Sequence, residues 1–139
     1  MKRLIIATIA AILAVPVFAA ANDAIDEAAK EEGAVTTISG MVYKSIKEGK
    51  GETPGFYNMV IVNYRGTLAD GKEFDKGQSV TFPLSRVIPC WTEGVQKMKI
   101  GGKAKLVCPP ELAYGPKGAG SDVPPNATLI FEVELLNIK

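Results

Sequence analysis

The sequence predicts an α+β domain, an antiparallel sheet with one short helix held on its apolar face. Three observations predict it. Several segments alternate apolar and polar residues with the period of half-buried strands. One segment, around Pro89 and Trp91, combines helical spacing with start and stop signals. Long loops separate these elements, and the 139 residues include 14 glycines and 9 prolines.

The chain opens with "MKRLIIATIAAILAVPVFAAAND", which reads as a secretory leader. Lys2 and Arg3 form its positive start. Leu4 to Val15 is an uncharged apolar run, short for a membrane span. Ala19, Ala20 and Ala21 then supply small residues for cleavage, so residues 1–21 are assigned to the leader. The other reading of this stretch is an N-terminal anchor, and no cysteine near the cut offers a lipid site. A leader places the protein in an oxidising compartment, periplasmic or secreted, with no membrane attachment after its removal.

Residues 22–35 are alanine-rich and acidic. They read as a solvated tail or linker, with a short helix as the alternative. Residues 36–139 form the domain. The segment "MVYKSIK" starts it as a strand and runs into a Gly/Pro loop. In "YNMVIVNYRGTL", Val60, Val62 and Tyr64 share one face while Asn63 and Arg65 share the other. Asp70-Gly71 marks a hairpin turn, because glycine accepts the positive φ required. "SVTFPL" (79–84) is a short strand. The helix runs through "PCWTEGVQKMKIGG". Pro89 suits its first turn, where a missing N–H costs nothing. Trp91, Val95 and Met98 follow on one face, and Gly101 and Gly102 stop it. In "KAKLVC", Ala104, Leu106 and Cys108 face the core. After a long loop, "ATLIFEVELLNI" places Leu129, Phe131, Val133 and Leu135 on one face.

Composition excludes several kinds of chemistry. There is no histidine, which removes Ser-His-Asp and Cys-His catalysis and most zinc sites. The 16 basic residues lose Lys2 and Arg3 with the leader, leaving 14 against 15 acidic ones and a net charge of −1. No basic face suggests nucleic acid. "GPKGAGSD" lacks the ending of a phosphate loop, and "NAT" at 126–128 is a short, common match to a glycosylation acceptor. The two cysteines lie 18 positions apart, unlike the C-x-x-C of thiol oxidoreductases.

Read together, "VNYRGTLADGKEFD", "VIPCWTEGVQKMKIGGKAKLVCPPELAYG" and "VPPNATLIFEVELLNI" resemble the FKBP-type peptidyl-prolyl cis-trans isomerases. The resemblance covers about residues 38–138. It is strongest to the secreted bacterial branch that includes the macrophage infectivity potentiators. It implies a twisted antiparallel sheet wrapped around one short helix. It also implies rotation of X–Pro bonds in unfolded or partly folded polypeptides, with no cofactor or metal. An apolar cup would receive the proline. Trp91 would form its floor, and Tyr64, Phe74, Val87, Ile88 and Phe131 its walls. Asp75 would sit at the rim. The Ile88 N–H and the Tyr114 hydroxyl would bind the substrate backbone. Macrolide inhibitors would occupy the same cup.

Departures from the family pattern also carry expectations. An aromatic wall position falls on Val80, and the flap carries Ala119 and Asp122. A more open and polar rim follows, with weaker macrolide binding. The short segment between leader and domain implies a monomer. A chaperone that holds chains without turnover is the competing function. Most relatives have glycine where this chain has Cys90. A disulfide from Cys90 to Cys108, below the cup, is the preferred reading. Two buried thiols and a reactive Cys90 thiol are the alternatives.

Overall fold

The computed structural model describes residues 17–139, with side chains from Asp23 onward. The expected leader therefore lies largely outside the described residues. Six antiparallel strands form one sheet. They are β1 (Ala34–Thr36), β2 (Val42–Lys47), β3 (Met59–Leu68), β4 (Glu73–Pro83), β5 (Lys103–Cys108) and β6 (Leu129–Ile138). Their order is β1-β2-β5-β6-β3-β4. The expected fold class is therefore the observed one. Helix α1 (Val17–Ala29) packs near β1, β2 and β5, and helix α2 (Pro89–Val95) packs on β5 from the other face.

The inner face follows from strand alternation. Val60 and Val62 of β3, Leu106 of β5, and Leu129, Val133 and Leu135 of β6 are fully buried against α2. The β3–β4 hairpin closes where the sequence places its turn. Gly71 takes φ +93°, and the Lys72 N–H is capped by Asp70 Oδ1 at 2.9 Å.

Strand β4 is longer than expected, beginning at Glu73 rather than residue 79. Lys76-Gly77-Gln78-Ser79 shows no alternation because the register shifts there, between Val62 and Tyr64 of β3. Ser79 adopts φ +53°, and its N–H donates to Asn63 Oδ1 at 2.8 Å. This is a bulge held by a side chain, which a period-two pattern misses.

Helix α2 is shorter than expected. It begins at Pro89 but ends at Val95. Two tight turns, Lys97 N–H to Gly94 O and Met98 N–H to Val95 O, carry the chain onward. Met98 is buried all the same. Gly94 lets α2 pack closely against the sheet. A Cβ there would fall 2.8 Å from Leu106 Cδ2 and 3.1 Å from Met41 Cε.

Residues 22–35, expected as a solvated tail or linker, instead dock on the outer face of the sheet. Ile25, Ala28 and Ala34 pack with Val42, Val107 and Ile130. Few apolar residues suffice because ion pairs share the task. Lys44 and Lys105 are paired across β2 and β5, where like charges repel. Glu31 lies between them, accepting from Lys105 Nζ at 2.8 Å and Lys44 Nζ at 3.2 Å. The Lys105 ammonium, hydrogen-bonded to it, is the largest influence on the Glu31 carboxyl. With help from Lys44 it holds that carboxyl below its usual value, against the opposing effect of burial.

Candidate functional site

The inner face opens into one cavity of about 490 Å³. Each wall comes from a different element. Tyr64 comes from β3, Phe74, Asp75 and Phe82 from β4, and Phe131 from β6. Val87 and Ile88 lie between a short 3₁₀ turn (Leu84–Arg86) and α2, and Trp91 lies in α2. Ala113 and Tyr114 close the side formed by the loop after β5. All eight residues expected at the site, Tyr64, Phe74, Asp75, Val87, Ile88, Trp91, Tyr114 and Phe131, line this one cavity.

Trp91 is 4% exposed and forms the floor. Three rings meet it edge-to-face: Tyr64 at 5.3 Å, Phe82 at 5.3 Å and Phe131 at 5.4 Å between centroids. Phe74 continues the wall against Phe131 at 5.6 Å. Such pairs add about 0.5–1.5 kcal/mol each beyond area burial, so the rings fix one another. The indole Nε1 is buried without a hydrogen-bond partner among the described residues.

Two glycines make room for this cluster. A Cβ on Gly66 would fall 2.8 Å from both Phe131 Cε1 and Phe74 Cζ. One on Gly77 would fall 2.8 Å from Tyr64 Cε1.

The polar groups of the cavity fall into two kinds. Asp75 is engaged: the Tyr64 hydroxyl donates to its Oδ2 at 2.9 Å, and the Lys76 N–H donates to its Oδ1 at 2.9 Å. Burial, followed by the Asp75 hydrogen bond, pushes the Tyr64 phenol up to about 12. Tyr64 therefore remains a donor at neutral pH. The other groups are open. The Ile88 N–H precedes α2 and makes no hydrogen bond within the described residues. The Tyr114 hydroxyl also has none, and its residue is 43% exposed. These are unengaged donors on two residues that line the cavity.

The disulfide lies beneath the floor. Cys90 and Cys108 are bonded, with their Cα atoms 5.7 Å apart, and both are fully buried. No free cysteine remains, so neither the two-thiol reading nor the reactive thiol applies.

Three lining residues were absent from the sequence expectation: Phe82, Arg86 and Ala113. Phe82 had a signal. It pairs with Val60 across the β3–β4 ladder and so shares the inner face. It supplies an aromatic wall, although Val80, where that wall was expected to be missing, stays outside the cavity lining. Arg86 and Ala113 sit in turns, where no periodicity points inward. Ala119 and Asp122 of the flap do not line the cavity. Instead Ala119 bridges to Val123 within the loop.

A larger concavity of about 790 Å³ lies on the outer face, lined by Asn63, Arg65, Lys103, Glu132 and Glu134 among others. Its groups already pair with neighbours, Lys103 with Glu132 and Asn63 with Glu134. It is a solvated sheet face. Among the described residues no cluster of His, Cys, Asp or Glu could hold a metal ion.

Comparison with known proteins follows the same outline. Residues 50–136 match the FKBP-type peptidyl-prolyl cis-trans isomerase family. The chain is 54% identical over 115 residues to the FKBP-type peptidyl-prolyl cis-trans isomerase FkpA of Escherichia coli, covering 80% of this chain and 42% of that one. It is 44% identical over 111 residues to the outer membrane protein MIP of Legionella longbeachae, covering 77% and 48%. The chain thus spans less than half the length of these two relatives. A crystal structure of a peptidyl-prolyl cis-trans isomerase from Pseudomonas syringae pv. tomato superposes with a TM-score of 0.84. It is 34% identical, and the match covers 91% of this chain and 98% of that one. Sequence, sheet order and cavity agree, and the chain belongs to the FKBP-type peptidyl-prolyl cis-trans isomerase family.

Proposed function

We propose that this protein accelerates rotation about X–Pro bonds in unfolded or partly folded polypeptides, by binding rather than covalent chemistry. One observation carries the reading. A largely apolar cavity of about 490 Å³, floored by Trp91 and walled by aromatic rings, is bordered by unengaged donors at Ile88 N–H and Tyr114 O–H.

The reaction needs little more. Amide resonance sets a rotational barrier of about 18–20 kcal/mol. Resonance also places charge on the carbonyl oxygen, and the twisted transition state loses part of it. A water-poor cup therefore disfavours the planar ground state relative to the twisted one. The pyrrolidine ring rests on Trp91, while the Ile88 N–H and Tyr114 hydroxyl hold the flanking backbone in a turn. Asp75 fixes the Tyr64 ring through its hydroxyl and transfers no proton. Tyr64, Phe74, Val87, Ile88 and Phe131 wall the cup, Trp91 floors it, Asp75 holds Tyr64 at the rim, and Tyr114 binds the substrate backbone.

A signal-like start and a buried disulfide support a location outside the bacterial cytoplasm, in the periplasm or beyond it. No helix among the described residues is long and apolar enough to cross a membrane. Macrolides would compete for the cup, and the protein would act as a monomer.

A proline-limited peptide isomerisation assay tests the reading. Acceleration that falls at least tenfold in Phe131→Ala is the expected result, since such a truncation removes a wall of the cup. No acceleration by folded protein defeats the proposal.

A second reading, holding of unfolded chains, is favoured by an exposed aromatic cluster. Tyr57 is 89% exposed and Phe56 44%, with their rings 4.9 Å apart. Suppression of aggregation that survives Tyr114→Phe but is lost in Phe56→Ser/Tyr57→Ser separates holding from turnover.

A further inference from the structure

We propose that Arg86 is a specificity subsite that selects an acidic side chain flanking the substrate proline. This rests on the isomerase reading of the cavity and adds a substrate class to it.

Two charged residues line the cavity, Asp75 and Arg86. They stand on different elements and differ in state. Both oxygens of Asp75 are already engaged, by the Tyr64 hydroxyl and the Lys76 N–H. Asp75 is therefore spoken for before substrate arrives. Arg86 is not. It makes no ion pair among the described residues, and no side-chain hydrogen bond satisfies its guanidinium.

Its position is fixed even though its charge is free. The turn Leu84–Arg86 is held at its first residue from two sides. The Leu84 N–H donates to Asn58 O at 3.1 Å, and Thr92 Oγ1 of α2 donates to Leu84 O at 2.6 Å. Val87 and Ile88, which follow directly, are walls of the cavity. The backbone thus carries Arg86 beside the residues that hold the peptide. An exposed arginine on a solvated strand is unremarkable, but this one borders an aromatic cup whose other charged residue, Asp75, is already engaged.

The chemistry of the partner follows. A guanidinium presents five donors in a planar fork that matches a carboxylate with two parallel hydrogen bonds. The proline occupies the aromatic cup, so the group that reaches Arg86 belongs to an adjacent residue. Glutamate or aspartate next to the proline supplies the missing counter-charge.

The test uses two peptide series, with Glu, Gln or Leu placed either before or after the proline. Isomerisation gives kcat/KM for each, and Trp91 fluorescence follows binding of the same peptides. In one of the two positions, Glu should exceed Gln by about three- to tenfold at low salt, the range of an exposed to partly desolvated charged pair. The ratio should shrink with added salt. Arg86→Gln should bring it near one, and Arg86→Glu should invert it. A Glu-to-Gln ratio that is the same in the parent and in Arg86→Glu, in both kinetics and binding, overturns the subsite. Absence of turnover with every peptide defeats the isomerase reading instead, and the fluorescence titrations then decide the subsite alone.

Discussion

At the residue scale the pair Tyr64–Asp75 ties an aromatic wall to the rim. Burial and the bond to Asp75 favour the neutral phenol, with its value at about 12. An unfolded tyrosine ionises near 10, so the unfolded chain binds fewer protons between about pH 10 and 12. Stability from this group is complete below about pH 10 and is lost as pH rises through about 12. Tyr64→Phe should flatten that part of the alkaline stability profile, read as the difference in urea midpoint between the two proteins. Identical profiles would mean that the phenol is not held. Gly66 offers a sharper test of packing. Its φ is not in the left-handed region, so only space forbids a side chain. The added methyl of Gly66→Ala meets Phe74 and Phe131 at 2.8 Å. Overpacking of this kind costs about 1–3 kcal/mol. It also pushes two walls into the cup, so both the denaturation midpoint and kcat/KM should fall. A variant as stable and active as the parent would show that the rings yield freely.

At the element scale, α2 is the piece that most needs support. Seven residues are too few to form a helix alone. Its start is fixed by Pro89 and by the Thr92 hydroxyl on Leu84, its face by Trp91 and Val95, and its position by the bond from Cys90 to Cys108. That crosslink closes a loop with a sequence separation of 18. In the chain-entropy picture such a loop contributes about 3 kcal/mol. Cys90→Ser/Cys108→Ser should lose stability of that order, and the parent under reductant should shift toward it once unfolded. Equal urea midpoints with and without the bond would remove this role. The sequence carried this element in part. Pro89 marked the helix start, and Trp91, Val95 and Met98 marked its buried side. Its end at Val95 was hidden, because turns continue burying residues on the same side as far as Met98. The bulge at Ser79 was hidden for a different reason. A side chain, Asn63, completes its backbone pairing, and such exchange leaves no period. The docking of the segment before β2 is not legible in the sequence because its apolar residues are few. Its anchor, Glu31 between Lys44 and Lys105, depends on strands that are distant in sequence.

At the scale of the whole molecule, the site lies where four regions meet: the β3–β4 hairpin, the segment entering α2, the loop after β5, and β6. Alternation marks β3 and β6, whereas Phe74 and Asp75 at the start of β4, and Val87 and Ile88 before α2, are legible only through the family resemblance. In the loop 109–126 no periodicity points inward: Tyr114 is legible through the resemblance alone, and Ala113 not at all. The loop also decides what else the cavity accepts. On the proposed function a proline would need only the cup, whereas a macrolide is wider and would rest on the rim. There the loop contributes Ala113 and Tyr114, while Ala119 packs with Val123 and Asp122 is exposed to solvent. Less apolar surface is thus offered beyond the cup. On the other side, Phe82 completes the aromatic wall, so the cup itself is intact. The two parts of the site should therefore respond differently. Relative to a short cytosolic member of the family, turnover of a Leu-Pro peptide should be comparable. Macrolide binding should be weaker by about tenfold or more, as loss of a few buried methylene contacts gives. Calorimetric titration beside a peptide assay reads both. Equal macrolide affinity would show that the cup alone supplies the binding energy and that the rim contributes none.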